Sequence, residues 1–165
     1  MIRRTSVVAA LTVLLAALPA AAFDLNLALG VDFAGDFDVG NISLSSDTGY
    51  SLGLELAFKV PIVELGVGFE YGFSREAQAG DLKASYTQLY GIGRVFFGPV
   101  YVAARLGYAD LSVSSVLEGG FDGGGTWGVG GGVELFDKLK IELLFNSISG
   151  DLTYQSWTGR LLYTF

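Results

Sequence analysis

Apolar and polar residues alternate along most of this chain. Between Asp24 and Phe33 every odd position is apolar, whereas the even positions hold aspartate, asparagine, alanine or glycine. The same sorting recurs over residues 50–59 and 63–73. Because successive side chains of a β-strand point to opposite faces, a period of two predicts strands with one apolar and one polar face.

The composition of the two faces indicates where these strands lie. The apolar face carries no charge and many aromatic residues, while the other face mixes charged residues with glycines, which are too small to build a dry core. A soluble barrel holds its aliphatic side chains inside, but this distribution favours a barrel with its aliphatic side chains outside, in contact with lipid. We therefore predict an all-β transmembrane barrel.

Turn residues divide the chain into eight predicted strands. Short turns are expected at Val60-Pro61, Gly98-Pro99 and Asp137-Lys138, each flanked by alternating runs. Polar, glycine-rich stretches predict longer loops over 34–48, 74–83, 110–125 and 147–152. The predicted strands cover 24–33, 49–59, 62–73, 85–97, 100–109, 126–136, 139–146 and 153–165. Together they form an antiparallel up-and-down barrel with short periplasmic turns and longer extracellular loops.

Residues 1–22 are expected to be a cleaved signal peptide. Arg3 and Arg4 form a basic segment, Val7 to Leu18 is an apolar region, and the small residues that follow Pro19 suit cleavage after Ala22. The alternative is an N-terminal membrane anchor, but the apolar run is shorter than the ~20 residues that span a bilayer. Residues 23–165 would then be one exported domain in the outer membrane.

The fourth predicted strand leaves its orientation open. If Arg94 points inward, Tyr86 and Tyr90 also point inward, and the lipid face is poor in side chains. That face would consist of Thr87, Leu89, Gly91, Gly93, Val95 and Phe97. A β-bulge would change this phase.

The inward face of the predicted barrel collects most of the charged residues of the strands. The predicted ionic cluster consists of Asp32, Glu55, Glu64, Glu70, Glu134 and Glu142 with Lys59, Arg94, Arg105, Lys140 and Arg160. Similar distances from the short turns predict a mid-membrane layer of Glu55, Arg94, Arg105, Glu134, Glu142 and Arg160. An isolated buried carboxylate costs several kcal/mol, so these charges are expected to pair. The layer is either a salt-bridged plug or a narrow ion conduit, and eight strands enclose a lumen that side chains can fill, which favours the plug.

Aromatic residues of the lipid face are predicted to form two belts. The belt toward the loops contains Phe33, Tyr50, Tyr71, Phe73, Tyr108, Trp127, Phe145 and Trp157, and the belt toward the turns contains Phe58, Phe97, Tyr163 and Phe165. Aromatic side chains prefer the two interfaces of a membrane, so the belts mark the edges of the apolar band.

The loops carry most of the excess negative charge. Without Arg3 and Arg4, 8 basic side chains stand against 17 acidic ones, which gives a net charge of −9. Arg75 and Lys83 are the basic residues of the loops, against Asp36, Asp38, Asp47, Glu76, Asp81, Asp110, Glu118, Asp122 and Asp151. A nucleic-acid partner is excluded because phosphate binding needs a basic patch. The acidic loops could bind an extracellular ligand, such as a basic partner or divalent cations, or could simply be solvated.

No cofactor or metal site is predicted. The chain has no cysteine, so neither a disulfide nor a thiolate metal site exists. The glycine-rich run over 119–132 lacks the Gly-Lys-Ser/Thr ending and the following helix of a phosphate-binding loop. We expect these glycines to form a flexible loop tip and then to leave space inside the sixth strand.

The signal peptide, the four hairpins and the final strand together resemble a known family. The chain ends Leu161-Leu162-Tyr163-Thr164-Phe165, and it is similar to the small eight-stranded bacterial outer-membrane β-barrel proteins of the OmpA/OmpX and opacity-protein type. Phe165, with Tyr163 two residues earlier, resembles the signal that the barrel-assembly machinery recognises. Where the family pattern has a glycine five residues before the end, this chain has Arg160. The resemblance implies a monomer in outer-membrane lipid, assembled by that machinery.

Outer-membrane barrels that are enzymes form a competing class. The members of this class, namely lipid A deacylase, phospholipase, protease and lipid A palmitoyltransferase barrels, depend on histidine. This chain contains no histidine, so it cannot assemble a Ser-His pair. We predict a non-catalytic protein. Three roles stay open, namely a structural membrane protein, a surface-interaction protein that uses its loops, and a narrow conduit for small solutes.

Overall fold

The described residues form nine strands. The computed structural model describes residues 23–39, 42–76, 83–114, 123–150 and 153–165. Its strands are β1 (Phe23–Val39), β2 (Ile42–Ser46), β3 (Gly49–Val60), β4 (Val63–Glu76), β5 (Lys83–Phe97), β6 (Val100–Ser114), β7 (Gly124–Leu135), β8 (Leu139–Ser149) and β9 (Thr153–Thr164). The described residues include no helix long and apolar enough to cross a membrane. The predicted signal peptide lies outside them.

Eight of these strands close into a barrel, as predicted. Neighbouring strands pair antiparallel in the order β1-β3-β4-β5-β6-β7-β8-β9, and β9 pairs back with β1. The short β2 pairs with β1 on the same side as β3 and in the same register, because Gly35 pairs with Ser46 and Asp32 with Gly49. β2 and β3 are therefore one long strand that is interrupted at residues 47–48.

The register fixes the tilt of the strands. The stagger of the barrel is read from the pairs of opposite residues. The path of paired residues that starts at Asn26 on β1 crosses every barrel strand and returns to β1 at Phe37, eleven positions further along. One of these positions is extra, because the β1–β9 register shifts by one residue between Phe33 and Asp36. With about 3.3 Å per residue and about 4.8 Å between strands, the stagger tilts the strands by about 40° from the barrel axis, as usual for closed barrels.

The strands extend further into the predicted loops than the sequence indicated. β1 continues to Val39 through the bulge, where Ala34 has a positive φ of 49°, so the predicted loop over 34–48 is wrong in its boundaries. β4 likewise runs to Glu76 past a register shift between Gly72 and Arg75. An extra residue in a strand reverses which face each later residue occupies, and this hides the continued strand from a period-two reading.

Across the central part of the barrel, apolar side chains point outward and charged side chains point inward. Leu54 and Val67 are 49% and 46% exposed, while the neighbouring Glu55 is completely buried. The orientation of β5 is now settled, since Tyr86, Tyr90 and Arg94 are buried. The predicted aromatic belts lie outside: all twelve residues have outward, exposed or half-buried side chains.

Beyond the loop-side aromatic belt the polarity of the two faces is exchanged, so that apolar side chains point inward and polar side chains point outward. We call this part, residues 35–36, 84–86, 109–112, 148–149 and 153–156, the loop-side rim. Its inward side chains are mostly apolar and buried, namely Ala84, Tyr86, Ala109, Leu111, Ile148 and Tyr154. Its outward positions include exposed Asp36, Asp110, Ser149 and Gln155. The rim thus has the polarity of a soluble barrel on top of a membrane barrel.

Candidate functional site

The interior of the membrane part contains a neutral cluster of buried charges. It has four carboxylates and four cations, each with at most 2% of its surface exposed. The acids are Glu55, Glu64, Glu70 and Glu142, and the bases are Arg94, Arg105, Lys140 and Arg160. Each side chain reaches the lumen because it occupies an inward position of its strand.

Arg94 on β5 is the first hub of this cluster. Its three guanidinium nitrogens donate to three different carboxylates: Nε to Glu142 Oε1 at 2.6 Å, Nη1 to Glu64 Oε1 at 2.6 Å and Nη2 to Glu55 Oε2 at 2.8 Å. These acids lie on β8, β4 and β3. One planar cation thus ties together strands from both sides of the lumen, which the fixed fork of arginine suits better than a lysine ammonium would.

Arg160 on β9 is the second hub, and it shares two acids with the first. Its Nη1 donates to Glu142 Oε2 at 2.9 Å and its Nη2 to Glu55 Oε1 at 2.7 Å. Glu55 and Glu142 therefore each bind Arg94 with one oxygen and Arg160 with the other. The four side chains form a closed ring of alternating charge, which we call the ionic ring.

The remaining charges attach to the edges of the ring. Lys140 Nζ donates to Glu64 Oε2 at 2.6 Å, from a strand on the opposite side of the barrel. Arg105 donates from Nη1 to Glu70 at 3.2 Å and from Nε to Asn146 Oδ1 at 2.8 Å. The hydroxyl of Tyr90 donates to Glu55 at 2.9 Å. Every charge in the cluster thus has at least one opposite charge in contact.

Glycines of β7 provide the space for two long side chains. A Cβ added at Gly128 would lie 3.1 Å from Cγ of Arg105, and one added at Gly132 would lie 2.5 Å from the hydroxyl of Tyr101. The space expected inside the sixth predicted strand is thus filled by side chains from β6. The loop tip expected from the same glycine run lies largely outside the described residues.

Asp32 belongs to a separate polar layer above the ring. It accepts hydrogen bonds from Thr158 Oγ1 at 2.5 Å and from the hydroxyl of Tyr86 at 3.1 Å. Asn146 connects this layer to the cluster, because its Nδ2 donates to Thr158 while its Oδ1 accepts from Arg105. The sequence reading missed Asn146 and Thr158 because it followed only charged residues, although both occupy inward positions of β8 and β9.

Lys59 and Glu134 form a second, isolated pair at the turn-side mouth. Lys59 Nζ donates to both carboxylate oxygens of Glu134 at 2.6 and 2.7 Å, and it also lies 4.4 Å from the centre of the Phe96 ring. The predicted placement of Glu134 in the mid-membrane layer is wrong. Glu134 is the last residue but one of β7 and lies next to the β7–β8 turn, so it is at the mouth and not at the level of the ring.

The carboxylates of this interior are paired with cations and are not grouped as a metal site. No group of three or more His, Cys, Asp or Glu residues within the described residues could hold a metal ion. The cluster consists of carboxylates already paired with guanidinium or ammonium groups. Such an arrangement can crosslink strands and fill a lumen.

Comparisons with known proteins identify the fold. No protein-family model and no curated protein matches this chain. Among solved structures, it is similar to Ail, the attachment invasion locus protein of Yersinia pestis, in complex with the heparin analogue sucrose octasulfate (TM-score 0.61, 13% identity, 87% of this chain and 99% of that one). It is also similar to Neisserial surface protein A (0.58, 14%, 87% and 97%) and to the outer membrane enzyme PagL (0.55, 13%, 84% and 98%).

These similarities and the lipid-type outer face define the class. The chain has the fold of the small eight-stranded outer-membrane β-barrels, as the sequence resemblance implied.

Proposed function

We propose that this protein is a non-catalytic integral outer-membrane barrel whose interior is sealed by the ionic ring and whose acidic loops face the outside. It contributes to the envelope as a structural or surface-interaction protein. The ionic ring carries this proposal, because Arg94 and Arg160 join carboxylates from opposite sides of the lumen through completely buried contacts. An open aqueous channel would leave such charges hydrated and accessible.

The absence of histidine supports a non-catalytic role. The fold itself does not decide this point, since PagL is an enzyme with the same architecture. The chain contains no histidine or cysteine, so it lacks the group that most often titrates near neutral pH. The buried carboxylates are held by cations, and a carboxylate held in this way is a weak base.

The charge of the loops indicates what kind of partner would fit. Ail was crystallised with a heparin analogue, a strongly anionic ligand. The predicted loops of this chain hold nine acidic and two basic side chains, so they would repel a sulfated glycan and favour a basic partner. Of these acids, Asp36, Asp47 and Asp110 are exposed in the described residues.

Conductance in planar bilayers tests the sealed interior. The wild-type barrel should give no reproducible current steps. Replacing all four ring residues, Glu55, Arg94, Glu142 and Arg160, by alanine keeps the interior neutral and should open an aqueous path that conducts. The matched control replaces Lys59 and Glu134 by alanine. This change also removes one positive and one negative charge but leaves the ring closed, so the control should not conduct. Steady steps from the wild type would contradict the proposal.

A narrow conduit is the second candidate, and one feature favours it. The turn-side mouth contains a cavity of about 240 Å³ next to Lys59, Phe96 and Glu134. The Lys59 side chain there is 33% exposed, so water reaches the lumen from this end. Under this alternative the wild type conducts, and the Lys59/Glu134 double variant conducts more.

A further inference from the structure

The outer wall of the barrel contains a groove that the sealed interior does not explain. It has a volume of about 700 Å³ and runs across β8, β9, β1, β3 and β4. Its lower edge is a row of paired residues, Ile141, Leu161, Leu29 and Leu52. Its upper edge includes Val31 and Tyr50, which pair with each other on β1 and β3.

Gly159 deepens this groove. It pairs with Leu143 on one side and Val31 on the other, so it occupies the upper row where its neighbours have large side chains. Arg160, Gly30 and Ser51 also line the groove. The Arg160 and Ser51 side chains are buried inside the barrel, so these three residues present main-chain atoms. The floor is therefore bare backbone between apolar walls.

The direction of the groove matches a lipid chain. The lower row starts at Ile141, next to the first outward residue of β8, and on β4 it arrives at Tyr71 in the loop-side aromatic belt. Four steps of about 4.8 Å between strands at a tilt of about 40° give a rise of roughly 12 Å. This is about half of the ~25 Å apolar band of such barrels. The groove thus begins at the loop-side aromatic belt and runs obliquely through the apolar band toward the turn side.

We infer that this groove is a binding site for one acyl chain of a membrane lipid in the leaflet on the loop side. The walls are apolar and lie in the band that contacts lipid, so a hydrocarbon chain is the chemistry that fits. A second copy of the barrel would present a convex wall, whose shape does not fill a groove. The Tyr50 hydroxyl, at the upper edge, lies at the level of the lipid head groups.

Two outward glycines provide a matched pair of variants. A Cβ added at Gly159 would meet only Phe33 at 3.7 Å, and one added at Gly93, which lies outside the groove, would meet only Leu65 at 3.5 Å. Both positions therefore accept a side chain without strain. Gly159→Leu fills the groove, whereas Gly93→Leu adds the same side chain elsewhere on the lipid face.

Quenching of Trp157 measures the occupancy of the groove. Trp157 precedes Gly159 on the outward face of β9, and replacing Trp127 by phenylalanine leaves it as the sole tryptophan of the two. The full barrel is placed in phosphatidylcholine vesicles that contain increasing fractions of the same lipid with brominated acyl chains, so that the dependence of quenching on this fraction gives the number of lipid chains in contact with Trp157. Gly159→Leu should lower this number, whereas Gly93→Leu should leave it at the value of the parent barrel.

Three outcomes would overturn the site. Gly159→Leu could leave the number of contacting chains unchanged, both leucine variants could lower it equally, or the number could fall as protein density rises, which would mean that a second copy covers the groove. Thermal mobility shifts in gels establish that each variant is folded. The test does not depend on whether the interior conducts.

Discussion

The membrane part and the loop-side rim of this barrel use the same strands with opposite sorting. On β6, Val102 and Leu106 point outward and are exposed, and Arg105 between them is buried. A few residues further along the same strand, Asp110 is exposed and Leu111 is buried. The strand and its alternation are unchanged, and we infer that the surrounding solvent changes from lipid to water. Solvent polarity therefore decides which face is the apolar one.

Different interactions stabilise the interiors of the two parts. Inside the membrane part, charges pair across the lumen beside a small apolar cluster of Phe96, Tyr101, Ala103 and Leu144, while the aliphatic residues of the outer face point to lipid. Inside the rim, the buried side chains are mostly apolar, as in a soluble protein. The following substitutions test this difference, in order of the effect expected.

Removing a hub of the ionic ring should have the largest effect. Arg94→Met leaves Glu55, Glu64 and Glu142 without their shared cation in a buried site, and breaking a buried ion pair in this way typically costs about 3–5 kcal/mol. The free energy of unfolding in urea, with the barrel in lipid vesicles, measures the loss. Arg94→Lys keeps the charge but not the forked guanidinium, so its free energy of unfolding should lie between those of Arg94→Met and the wild type. A loss below about 1 kcal/mol for Arg94→Met would show that the ring does not crosslink the strands.

Placing a charge on the lipid face should distinguish the two parts most clearly. Leu54→Arg puts a guanidinium near the middle of the apolar band and should cost about 2–4 kcal/mol. Ser85→Arg puts the same group on the outward face of the rim, where surface substitutions usually change stability by less than about 0.5 kcal/mol. Equal costs in vesicle unfolding experiments would mean that the rim is also surrounded by lipid.

Truncating the apolar interior of the rim should have a smaller but definite effect. Leu111 is 3% exposed and pairs with Tyr86 on β5. Leu111→Ala should cost about 2–3 kcal/mol, near the lower end for leucine truncations, because the rim is a small core that can partly collapse. Amide hydrogen exchange should localise the loss to the loop-side ends of β5 and β6. Unchanged protection at those ends would contradict an apolar rim core.

The mouth pair should contribute least. Lys59 and Glu134 are 33% and 13% exposed, and pairs that water reaches contribute about 0–1 kcal/mol. Lys59→Met keeps the stem over Phe96 and should change the free energy of unfolding by less than about 1 kcal/mol. A loss as large as that of Arg94→Met would mean that the mouth pair, and not the ring, is the main crosslink.

The membrane part could be predicted from the sequence almost completely, and the rim could not. A rule that apolar residues point to lipid assigns Leu25 to Phe33 correctly, but it assigns Leu111 and Ile148 to the wrong face, because inward side chains become apolar beyond the belt. The bulge at Ala34 also changes the phase of the alternation within β1. The first change depends on where the membrane ends and the second on one extra residue, and no local pattern in the sequence records either.

The charged residues show a similar limit. Inward phase alone placed Glu55, Arg94, Glu142 and Arg160 in the lumen, but partners up to three strands away follow from closure and stagger, which the sequence does not state. Glu134 was assigned to the wrong level because β7 ends one residue after it, at Leu135. The shared use of Glu55 and Glu142 by two arginines was also beyond sequence reasoning, because it depends on side-chain reach across the lumen.

Spin-label accessibility along β6 tests the reversal most directly. The chain has no cysteine, so single cysteines at the outward positions Val100, Val102, Ala104, Leu106, Tyr108, Asp110 and Ser112 can each carry a nitroxide in the barrel reconstituted in vesicles. We expect labels up to residue 108 to be relaxed by oxygen, which partitions into lipid. At residues 110 and 112 we expect relaxation by a water-soluble nickel chelate instead. Oxygen accessibility that continues unchanged through residue 112 would contradict the division of the barrel into a lipid-facing part and a water-facing rim.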